Sequence, residues 1–164
     1  MGIFISMGRY SYTKALSTIT EWAIKEGYSD ITFDHNDTSL IDWEKGTLNV
    51  PKKIRIQGKY PIEIKVYVLL HELGHHQLRK DWGRFTKTLP ILAHAEQIHF
   101  TSKEGKYKRR VTYTVSCMEE EFKAWEEGLK LGVKLGIKIH PQTWNDFKSK
   151  CLISYMRYYG SLKK

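Results

Sequence analysis

The stretch LLHELGHH, residues 69–76, gathers three of the chain's seven histidines around one glutamate. His71 and His75 stand four apart, so on a helix they lie about 40° apart on one face, one turn from each other. Glu72 lies between them. Gly74 leaves space on the helix where a Cβ would crowd a neighbouring backbone or a substrate. With this chain's composition, a His-Glu-x-x-His pattern arises by chance in roughly one shuffled sequence in fifty. The alternative is a surface helix with incidental histidines, and the preceding residues argue against it. IEIKVYVLL, 62–70, is largely apolar and follows Pro61, which opens a helix at no hydrogen-bond cost. The histidines therefore sit at the end of an element expected to be buried, running from Pro61 to about Arg79.

The rest of the chain reads outward from that helix. Its 164 residues, 41% hydrophobic and 27% charged, fit one globular domain, 1–164, rather than a disordered chain. Ala15, Leu16, Ile19, Trp22 and Ala23 recur at helical spacing between Ser11 and Glu26, and Gly27 is a suitable stop. ITFDH (31–35) reads as a strand, and 39–51 as a hairpin turning at Glu44-Lys45-Gly46. KIRI (53–56) supplies a third strand. Residues 80–96 read as irregular or briefly helical, and 97–115 as a basic hairpin turning at 103–106. A third helix is predicted from Met118 to about Leu131, before Gly132 and Gly136. A fourth starts at Pro141, with Trp144, Phe147, Cys151, Tyr155 and Tyr158 along a core-facing stripe. Helices with a small sheet and no βαβ alternation make the fold α+β.

Composition narrows the function classes. The longest apolar runs are far too short for a transmembrane helix. Cys117 and Cys151 make no disulfide framework and read as reduced thiols of a cytoplasmic protein. The net charge of +9 favours anionic partners: acidic protein, membrane surface or nucleic acid, none of which it demands. Positive charge is densest at Lys106, Lys108, Arg109 and Arg110, where a hairpin could rim a cleft and steer an acidic substrate, with Tyr107 and Tyr113 as aromatic faces. A solvated turn is the equal alternative. Oligomeric state is not legible.

His-Glu-x-x-His on a helix lets two imidazoles meet one zinc at about 2 Å while the glutamate turns toward the water on the metal. Zinc acidifies that water and polarises a carbonyl, and the carboxylate moves the proton. LLHELGHH resembles the active-site helix of zincin metallopeptidases. The order of helix, small sheet, active-site helix and later helix is similar to a minimal zincin catalytic domain. That resemblance implies a hydrolase acting on protein or peptide substrate, with one Zn2+ per chain. His71 and His75 would be metal ligands, and Glu72 the general base. A substrate would lie extended along an edge strand within 39–56.

A catalytic zinc needs a third protein ligand. HELGHHQLRKD resembles a zincin pattern ending in Asp81, but Leu78 stands where that pattern has a helix-breaking glycine. His94 or His99 would instead resemble SprT-like, DNA-associated metallopeptidases, yet neither is followed by the usual glycine. Glu121-Phe122-Lys123-Ala124 resembles the Glu-x-x-Ala of glutamate-type zincins (gluzincins), and Glu121 is the preferred ligand. Glu120 or Glu119 would replace it if the register differs; otherwise both read as a solvated acidic helix start. Gluzincins often carry Asp or Asn four residues after the ligand to orient a zinc histidine; here that position is Trp125, and Asn145, Asp146 or a backbone carbonyl is left for the role. Cys117 reads as a buried cysteine rather than a thiolate ligand. Tyr113, His140 and Tyr155 are candidates to stabilise an oxyanion. The non-enzyme alternative is a metal-stabilised binding module, against which the intact Glu72 argues.

Overall fold

The computed structural model describes residues 10–28, 30–34, 40–44, 47–99 and 111–161. Helix α1 (Tyr12–Lys25) starts where Ser11 Oγ accepts from the Lys14 amide at 3.3 Å, and buries Ala15, Ile19 and Ala23. Gly27, at φ 101°, turns the chain out of it. Strands β1 (Asp30–Asp34), β2 (Leu40–Glu44) and β3 (Thr47–Gln57) pair in the order β1-β3-β2, β1 parallel to β3 and β2 antiparallel to it. Residues 47–51 and 53–56, read from sequence as separate strands, form one continuous β3. Pro51 is accommodated opposite Trp43, where the β2–β3 register shifts on both sides of Trp43. An irregular ladder is where a residue without an N–H does least harm.

Helix α2 (Ile62–Arg79) follows Pro61, whose carbonyl accepts from the Lys65 amide at 3.0 Å. Every residue from Val66 to Gly74 is buried. The segment 80–96, expected to be irregular or briefly helical, holds two short helices: Asp81 caps α3 (Trp82–Thr88) by accepting from the Arg84 amide at 2.9 Å, and Pro90 opens α4 (Pro90–His99). The hairpin at 97–115 is overturned at both ends, since 97–99 close α4 and 111–115 open α5 (Val111–Lys134). Its turn and Lys106, Tyr107, Lys108, Arg109 and Arg110 lie outside the described residues. The β-branched run at 111–115 favours a strand locally, but the buried Ser116 and Cys117 beyond it anchor a helix that packs along α2. Of the two glycines expected beyond the helix, Gly132 lies inside α5 and Gly136, at φ 69°, makes the turn. Helix α6 (Pro141–Ser161) completes a mostly helical, broadly α+β arrangement.

One core cluster joins α1, Ile54 and Ile56 of β3, the apolar half of α2, Trp125 and Trp144. A second joins Leu78, Phe85, Leu89, Leu92, Cys117 and Ala124. On α6, Trp144 is buried and Phe147 and Cys151 pack on the first cluster, but Tyr158 is 60% exposed and its neighbour Tyr159 packs inward instead. Between the clusters α2 and α5 touch backbone to backbone. A Cβ on Gly74 would strike the Ala124 carbonyl, and one on Gly128 the Leu70 carbonyl. No helix among the described residues is long and apolar enough to cross a membrane.

Candidate metal centre

The close crossing of α2 and α5 brings three side chains together. His71 and His75 project from α2 and Glu121 from α5, and one ligand atom from each lies within 4.8 Å of the other two. His71 Nε2 and His75 Nε2 stand 3.3 and 3.5 Å from the same atom, Glu121 Oε2. That oxygen is buried yet receives no well-formed hydrogen bond. An orphaned carboxylate oxygen between two imidazole nitrogens fits a shared cation, and the group could hold a metal ion. The His71 ring stacks on Trp125, centroids 4.3 Å apart and planes 19° apart, while its Nδ1 has no hydrogen bond. Trp125, where gluzincins carry a polar orienting residue, thus fixes a histidine by its face.

Glu120 departs from the sequence reading. It is 7% exposed, not solvated, and its Oε1 lies 3.3 Å from His75 Nδ1 while accepting from Arg79 Nε at 2.6 Å. Glu119 is exposed and pairs with Lys123 at 3.6 Å, as a solvated position should. Arg79 was missed, though a signal existed: 71, 75 and 79 continue one helical face at spacing four, inside a buried helix.

Electrostatics follow from burial and crowding. Burial raises the Glu72 carboxyl to about 7; Glu121 adds to the rise and His75 opposes it. Burial likewise lowers His71, to about 4. For His75 burial acts downward, but the carboxylates of Glu120 and Glu121 outweigh it and raise the imidazole to about 10. Burial would raise Glu121, yet contacts with His71 and His75 hold it below the usual carboxylate range. The centre therefore collects negative charge that either a proton on His75 or a cation neutralises.

The other candidates lie elsewhere. Asp81 is spent on its helix cap, and His94 is exposed on α4. His99 closes α4; its side chain lies outside the described residues. Cys117 packs in the second core cluster, its thiol hydrogen-bonded by Tyr113 and Tyr159. Asn145 and Asp146 are exposed on α6, Asp146 accepting from Gln142. His140 is exposed, with Nδ1 3.2 Å from Thr143 Oγ1. Tyr155 is partly buried on α6, and burial, then the carboxylates of Glu121 and Glu72, push its phenol up. Comparison with protein-family models, curated proteins and solved structures finds no match to this chain.

Proposed function

We propose that the protein is a zinc-dependent metallopeptidase built on a minimal zincin-like domain of the gluzincin type. The observation that carries the reading is the convergence of His71 Nε2 and His75 Nε2 on one orphaned oxygen of Glu121, with Glu72 buried on the same helix. Two imidazoles and a carboxylate are the donor set of an open catalytic zinc site, which when filled supplies an acidified water and a polarised carbonyl. Glu72, buried beside His71 on the same helix, would take the proton from the attacking water and pass it to the leaving amine. A donor to the developing oxyanion would come from among Tyr113, His140 and Tyr155. Because β3 is paired on both sides, an extended peptide substrate joins the sheet along β2, the edge strand within 39–56.

Metal content separates this reading from its rivals. The parent chain should bind one zinc, and Glu121→Ala should lose it, while Asp81→Ala and His94→Ala keep it. If Glu121→Ala binds zinc as tightly as the parent, the gluzincin assignment fails. Loss of metal in His94→Ala instead would favour the SprT-like, DNA-associated reading.

A further inference from the structure

Within the metal centre proposed above, on which this inference rests, we propose that Glu120 and Arg79 are its positioning residues: Glu120 holds His75 by Nδ1 so that Nε2 faces the metal, and Arg79 holds Glu120. The three side chains form a line. His75 Nδ1 lies 3.3 Å from Glu120 Oε1, and Arg79 Nε donates to that same oxygen at 2.6 Å. The Arg79 guanidinium rests over the Phe85 ring, 4.8 Å from its centroid, so α3 braces the far end. The Arg79 and Glu120 side chains are 11% and 9% exposed, which leaves water little part in the arrangement.

The chemistry explains why a charged pair belongs there. A buried ion pair is weak ground for stability, because desolvation offsets its attraction. A carboxylate on the far nitrogen of a metal-bound imidazole fixes the tautomer, orients the ring and makes it a better donor. With Nδ1–H donating to Glu120, Nε2 carries the free lone pair, and Nε2 is the atom facing Glu121. Arg79 engages the Glu120 oxygen that His75 also uses, which keeps Glu120 from turning to the metal as a rival of Glu121. The two ligand histidines are then held by different means, His75 through this line and His71 by its stack on Trp125.

The test uses the full chain and zinc alone, with affinity read by competition against a chromophoric chelator. The double variant Arg79→Met, Glu120→Leu removes both charges together and leaves neither partner stranded. It should fold, yet bind zinc about 10- to 100-fold more weakly than the parent. In the zinc-loaded parent, nitrogen NMR should find the His75 proton on Nδ1, and that resonance should shift in the variant. Arg79→Lys, which keeps the charge but not the guanidinium geometry, should lose less affinity. A folded double variant with the parent's affinity would overturn the proposal. If that variant does not fold, Glu120→Gln decides on the same criterion. A parent chain that binds no zinc, or a Glu121→Ala variant that binds it undiminished, would instead overturn the metal centre itself.

Discussion

At the residue scale, Glu72 separates chemistry from metal binding. Its side chain lies outside the ligand group, so Glu72→Gln should leave zinc affinity and the fold intact. The amide cannot accept a proton from water, and turnover on a peptide substrate should fall by about two to four orders of magnitude. His71→Ala should lose both metal and activity. Unchanged turnover in Glu72→Gln would remove the hydrolase reading. The grouping of His71 with His75 was legible because their spacing is local. Glu120 was not, because its partner Arg79 is 41 residues away in sequence. An acidic triplet at 119–121 carries no mark of which member faces water, which faces the ligands and which faces an arginine.

At the scale of elements, the site depends on how closely α2 approaches α5, and glycines permit that approach. Gly→Ala inside a helix gains about 1 kcal/mol of propensity, so a loss of stability reports sterics alone. At Gly74 the added methyl meets a backbone carbonyl that cannot turn aside; at Gly132 it meets the ends of Ile139 and Leu70 side chains, 2.6 and 3.0 Å away, which can. Gly74→Ala should therefore lose about 1–3 kcal/mol in chemical denaturation and weaken zinc binding, while Gly132→Ala stays near the parent. Equal behaviour of the two variants would show that the crossing does not set the site. Gly74 was readable as a position where a Cβ would crowd a neighbouring backbone, and that backbone is Ala124. The misreading at 111–115 has a different origin. Val111, Thr112 and Val115 carry strand propensity that packing along α2 overrides.

At the scale of the whole molecule, a metal on this site would tie α2 to α5 and couple folding to pH. Zinc held only by the folded chain adds about 4 kcal/mol of stability at a thousand times its Kd. The pH dependence has a definite sign. The His75 pKa is raised to about 10 in the folded, metal-free chain, so the stability from its proton is complete below about 6.5 and is lost as pH rises from there through about 10. Glu72 acts in the same direction over a lower window, its raised carboxyl losing stability as pH rises from about 4.5 to about 7. Zinc binding must expel the His75 proton, and rising pH removes that competitor. The metal-free chain should thus weaken from about pH 6 to about pH 8 while the zinc-dependent rise in unfolding temperature grows, with proton release detectable on titration. Thermal unfolding with zinc and with chelator at both pH values checks this, and Glu121→Gln should abolish the zinc-dependent rise. A rise that does not grow with pH would mean that the ion binds elsewhere, by groups already deprotonated at the lower pH.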